Sequence, residues 1–155
     1  MKKLDDEYFM SVACELSEKA LNKGNEPFGA LLVKDNEIIL KSENSVNSDN
    51  NPLEHAEIKL LREFVDKTGI TDLREYMLFS SCEPCFMCSG AISRLKVGRL
   101  VYGATHVDLE KILGKKGCSC SKIVFENSSF TPKIVEGVLR EKCCEVLEKY
   151  FKIKK

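Results

Sequence analysis

An α/β sandwich around one mixed five-stranded sheet is what this sequence predicts, and three observations predict it. Apolar runs of strand length alternate with helical patterns along the chain. The first two runs are joined by a short turn as a hairpin, whereas the later ones are separated by helices, so one sheet holds both antiparallel and parallel neighbours. The 155 residues are 43% hydrophobic and 31% charged, ordinary proportions for a globular chain with its own core. No repeat, low-complexity tract or Pro/Ser linker divides it, so residues 1–155 read as a single domain.

The elements follow in order. Residues 5–23 place Phe9, Val12, Ala13, Leu16 and Ala20 at helical spacing, and Gly24 ends the pattern. Residues 28–33 form a short apolar run, and Lys34-Asp35-Asn36-Glu37 turns it into a second strand at 38–40. Residues 44–51, rich in Asn, Ser and Asp, read as an irregular loop. Pro52 precedes a helix over 54–65 with His55 and Glu57 in its first turn. Residues 77–79 form a buried strand, Pro84 opens a helix over 85–95, and 99–102 make the next strand. A helix follows Asp108, residues 133–135 form the last strand, and 138–151 close the chain as an amphipathic helix.

Composition narrows the class of function. Lys plus Arg and Asp plus Glu both number 24, giving zero net charge, which argues against broad charge-driven binding of nucleic acid. The lysines at 149, 152, 154 and 155 read as a solvated tail. No stretch of about 18 apolar residues is present to span a membrane, and no apolar run follows Lys2 and Lys3 as in a signal peptide. A cytoplasmic location is the default expectation. Eight cysteines are many for such a chain, and disulfides are not their expected use there. Cys85 and Cys88 have metal spacing. Cys82 reads as a buried thiol beside them. Cys118-Ser119-Cys120 and Cys143-Cys144 lack the two-residue gap of a metal knuckle, so no second metal site is expected.

His55-Ala56-Glu57 and Pro84-Cys85-Phe86-Met87-Cys88 carry the chemistry. They supply one imidazole, two thiolates and a carboxylate. Three protein ligands leave one corner of a tetrahedral zinc open for water, as catalytic rather than structural sites do. A redox pair needs neither His55 nor Glu57, and a structural zinc needs a fourth ligand. His106, the other histidine, has no partner at ligand spacing. One zinc per chain is therefore expected on His55, Cys85 and Cys88. Zinc lowers the pKa of its water to about 7. Glu57, one residue beyond the His ligand, is then a proton carrier for that water.

These motifs resemble the zinc deaminase signature H-x-E…P-C-x-x-C. With Pro27-Phe28-Gly29-Ala30, Asn44 and Ser81-Cys82-Glu83, residues 27–108 look like the cytidine/deoxycytidylate deaminase-like superfamily, in its nucleobase, nucleoside and tRNA adenosine deaminase branch. The resemblance implies a homodimeric three-layer α/β/α deaminase of cytidine deaminase-like fold. It implies that Asn44 bonds the substrate base, with Phe28 and Ala56 in the substrate-binding set. Asp108 either contacts an exocyclic group of the base or caps the following helix. Pro27-Phe28-Gly29-Ala30, Ser81-Cys82-Glu83-Pro84 and Ala104-Thr105-His106-Val107-Asp108 are similar to bacterial guanine deaminases. Gly137-Val138-Leu139 with Cys143, Leu147 and Tyr150-Phe151 looks more like the closing helix of tRNA adenosine deaminases. Guanine or a related purine is the favoured substrate. The alternatives are adenosine in a tRNA anticodon loop, cytosine or cytidine, and a zinc-binding module without activity, against which Glu57 counts.

Overall fold

The structure is a computed structural model that describes residues 5–116 and 121–153. Helix α1 (Asp6–Asn22) starts at Asp5, whose side chain accepts from Tyr8 N, and ends before Gly24 at φ +82°. Strands β1 (Gly29–Lys34) and β2 (Glu37–Glu43) form the expected hairpin. Asp35 and Asn36 both take positive φ, 50° and 65°, a turn whose twist matches that of its strands. Then come α2 (Ala56–Thr68), β3 (Met77–Cys82), α3 (Phe86–Arg94) and β4 (Arg99–Ala104). The chain continues with α4 (His106–Leu113), α5 (Ser121–Glu126), β5 (Lys133–Glu136) and α6 (Arg140–Ile153). The sequence predicts no α5, gives β2, β3 and β4 too few residues, and starts α4 three residues late.

The strand order is β2-β1-β3-β4-β5. β1 runs antiparallel to β2 and β3, while β3, β4 and β5 are parallel. Both faces are covered, and β1 shows how. Ala30 and Leu32 point into a core with Leu60, Phe64 and Ile92 of α2 and α3, whereas Leu31 and Val33 point into one with Phe9, Ala13 and Leu147 of α1 and α6. This period of two is the pleat of a strand buried on both sides. The three-layer α/β/α sandwich is the architecture expected. Cys143 is buried, with its sulfur 2.7 Å from Cys14 Sγ where α6 crosses α1. Cys118, Cys120, Lys154 and Lys155 lie outside the described residues. Among the described residues, no helix is long and apolar enough to cross a membrane.

Gly29 belongs to the Pro27-Phe28-Gly29-Ala30 segment for a packing reason. A Cβ there would lie 2.5 Å from both Ala13 O and Leu16 Cβ, and 2.8 Å from Ser17 N. Two of those three atoms are helix backbone, which cannot swing aside. Gly29→Ala is expected to destabilise the fold by about 3 kcal/mol, through a forced separation of α1 from β1. Urea denaturation checks this, and a change within 0.5 kcal/mol would show that α1 yields without cost.

Candidate metal and active site

Two helix starts build the centre. His55 is the N-cap of α2, in extended backbone at φ −70°, ψ 151°. Its approach is fixed from both sides. Glu54 accepts both terminal nitrogens of Arg62 at 2.9 Å, and its carbonyl accepts Ser45 N at 3.1 Å. Cys85 is the N-cap of α3, also extended, and Cys88 lies one turn further in, fully buried. Ser89 anchors that turn by donating from Oγ to Pro84 O and from N to Cys85 O.

His55 Nδ1 stands 3.5 Å from Cys85 Sγ and 3.6 Å from Cys88 Sγ. A tetrahedral zinc with Zn–S of about 2.3 Å and Zn–N of about 2.0–2.1 Å needs sulfur and nitrogen about 3.6 Å apart. The donor set therefore fits the ion. These three residues form the one group with metal-ligand spacing among the described residues. The Cys85 thiol is also primed for it, while the hydrogen bond with Cys85 and burial hold the Cys88 thiol up. The hydrogen bond with the Cys88 thiol draws the Cys85 thiol down to about 4, against its own burial and helped by His55. A helix N-terminus favours such a thiolate.

Glu57 sits in the first turn of α2 with 6% of its surface exposed. Burial pushes its carboxyl up to about 7, and the negative charge of Cys85 adds to this. Such a group exchanges a proton near neutrality. His55, Glu57, Cys85 and Phe28 share the wall of a cavity of about 350 Å³. Cys82 lines it as well, a buried thiol that burial holds well above its ordinary range.

The other expected substrate contacts fall differently. Asn44 is buried beside Phe28, its backbone N donating to Phe28 O at 3.0 Å. Its Oδ1 accepts Val46 N, while its Nδ2 is buried with no partner. Ala56 packs into the core on the α2 side, which leaves only its backbone to meet a substrate. Asp108 takes the capping role of its two expected ones. It accepts Thr105 N at 2.9 Å and Thr105 Oγ1 at 3.0 Å, closing a capping box on α4. Arg140 Nε donates to both its oxygens, at 3.0 and 2.8 Å. The capping role is joined by an ion pair with Arg140. Residues given no site role from the sequence complete the cavity wall: Glu26, Glu83, His106, Leu109, Leu113, Lys115 and Phe151.

A mixed sheet that brings two helix starts together as a His/Cys/Cys donor set, with a buried carboxyl beside it, defines a hydrolytic deaminase. The family model of the cytidine and deoxycytidylate deaminase zinc-binding region matches residues 3–104, and the chain belongs to that family. A tRNA-specific adenosine deaminase of Buchnera aphidicola subsp. Schizaphis graminum is 36% identical over 155 aligned residues, which is 100% of this chain and 99% of that protein. The guanine deaminase of Bacillus subtilis strain 168 is 38% identical over 106 residues, 68% of each chain. The solved guanine deaminase of Nitrosomonas europaea superposes with a TM-score of 0.81 at 26% identity, covering 97% of this chain and 87% of that one.

Proposed function

We propose that the protein is a tRNA-specific adenosine deaminase, converting adenosine in an anticodon loop to inosine with release of ammonia. The observation that carries this is 36% sequence identity running from end to end, where the Nitrosomonas guanine deaminase covers a similar share of the chain at 26%. The similarity to the Buchnera enzyme takes in the whole chain, whereas that to the Bacillus guanine deaminase spans two thirds of it. The closing helix matters chemically, because α6 reaches the site: Phe151 forms part of the cavity wall. The order drawn from local segments, with guanine first, is therefore reversed. Net charge is zero, yet Lys111, Lys115 and Lys116 are exposed together at the end of α4, with Lys115 in the cavity wall. They give the rim a cationic group for phosphates. A single cytoplasmic deaminase domain acting as a homodimer completes the reading, as the family resemblance implies.

His55 Nδ1, Cys85 and Cys88 would hold the zinc. Bound there, it supplies Lewis acidity that lets water give up a proton near neutral pH. The chain's own part belongs to Glu57. Its carboxylate accepts a proton from the attacking water and delivers it to the purine ring nitrogen, making the adjoining carbon electrophilic. It then takes the second proton and hands it to the departing amine, so adenosine and water give inosine and ammonia. Phe28 and Phe151 keep the cavity apolar around this exchange, which strengthens each electrostatic contact inside it.

The test is ammonia release by zinc-loaded protein on an unmodified anticodon stem-loop with adenosine at the wobble position, on guanine, and on cytidine. The stem-loop is expected to be turned over, with kcat/KM falling steeply as salt rises from 50 to 200 mM because phosphate contacts release counterions. Turnover of guanine alone, indifferent to salt, would return the substrate to a free base.

A further inference from the structure

His106 walls the cavity together with His55 and Glu57, yet the chemistry above leaves it unused. It is the first residue of α4 and only 6% exposed. Glu83, on the loop between β3 and α3, fixes it. Glu83 Oε1 accepts the His106 backbone N–H at 3.0 Å. Its Oε2 accepts Ser121 N at 3.0 Å and Ser121 Oγ at 2.7 Å. The carboxylate is thus tied to the starts of both α4 and α5.

The imidazole Nδ1 lies 3.1 Å from Glu83 Oε2. It is off the line of a full hydrogen bond, so the contact is electrostatic. A lone pair turned toward a carboxylate oxygen at that distance is repulsive, which places the ring proton on Nδ1. Burial disfavours the imidazolium. With one proton, and that on Nδ1, the ring keeps a lone pair on Nε2. Leu109, Leu113 and Phe151 of the same wall accept nothing from a polar ligand.

We propose that His106 is a specificity-determining residue whose Nε2 accepts a hydrogen bond from a hydroxyl or amino donor of the nucleobase or nucleoside in the cavity, with Glu83 as the positioning residue that sets its tautomer. This rests on the deaminase reading of the cavity, and not on which substrate it takes.

The chain has two histidines, so ¹⁵N imidazole spectra of the zinc-loaded protein separate them. His55, facing the sulfurs through Nδ1, is expected to carry its proton on Nε2, and His106 the reverse. A His106 proton on Nε2 would overturn the proposal whatever the activity. For kinetics, the wild type is assayed on the stem-loop and on guanine, and the one it turns over is the probe. His106→Ala should lose about tenfold or more in kcat/KM while keeping one zinc per chain. His106→Gln, whose amide oxygen reaches the position of Nε2, should recover most of this. His106→Asn, which retains a donor toward Glu83 but not that reach, should not. Rescue by Asn rather than Gln would make His106 a mere support for Glu83, and three unchanged variants would also sink the idea. Turnover of guanine in place of the stem-loop removes the tRNA reading while leaving the His106 comparison intact. On the stem-loop, a 2′-deoxy target nucleotide assigns the donor: a loss in the wild type that is absent in His106→Ala points to the ribose hydroxyl, and no loss points to the base amine.

Discussion

Replacing Glu57 by alanine leaves one zinc per chain and lowers ammonia release by about three to four orders of magnitude. The size follows from the double duty of the side chain. One carboxyl must take a proton from water, protonate the ring nitrogen and release the amine, so its loss removes each transfer at once. That corresponds to about 4–5.5 kcal/mol of lost transition-state stabilisation. The environment supports the assignment, since burial lifts the carboxyl to about 7 in a wall shared with His55 and Cys85. Glu57→Gln keeps the volume without the proton exchange and is expected to be equally impaired, which separates proton transfer from packing. Metal analysis and the ammonia assay on one preparation decide the matter. Wild-type turnover in either variant would move the shuttle elsewhere.

How much of this was legible depends on how far each contact reaches along the chain. The donor set could be read directly, because Cys85 and Cys88 are neighbours on one helix turn and His55 with Glu57 on another. The residue types themselves name the ion. The hairpin was legible because Asp35 and Asn36 are adjacent and tolerate positive φ. Glu83 and His106 were not. They meet because β3 and β4 lie parallel with Cys82 opposite Ala104, so that the chains leaving both strands emerge side by side. Glu83 N then donates to Ala104 O at 2.8 Å. No local pattern announces a pairing that sheet register creates. Asp108 was ambiguous for a related reason: the deciding partner, Arg140, lies 32 residues away. α5 has six residues, too few for helical periodicity to stand out. Short motifs around β1 and β4 put guanine first, whereas identity over the whole chain favours the tRNA enzyme, and neither local segment carries that comparison.

Cys88→Ala is expected to abolish zinc binding and activity together, and its thermal behaviour makes the test sharper than activity alone. Cys88 is wholly buried at the start of α3, and its sulfur is one of two that lie within 3.6 Å of His55 Nδ1. Without it, one nitrogen and one sulfur remain, too few to hold zinc against solvent. A ligand that binds only the folded state stabilises it by RT ln(1 + [L]/Kd), about 4 kcal/mol at a free concentration a thousandfold above Kd. For a chain of this size that amounts to roughly 10 °C in Tm. Chelator should therefore lower the wild-type Tm by about that much, and the Glu57→Ala Tm similarly, since that variant keeps all three ligands. The Tm of Cys88→Ala should not respond to chelator at all. A Cys88→Ala protein that still carries stoichiometric zinc, or melts lower when chelator is added, would show that Cys88 is not a ligand. The chemistry built on a three-ligand centre would then lose its basis, even with Glu57 in place.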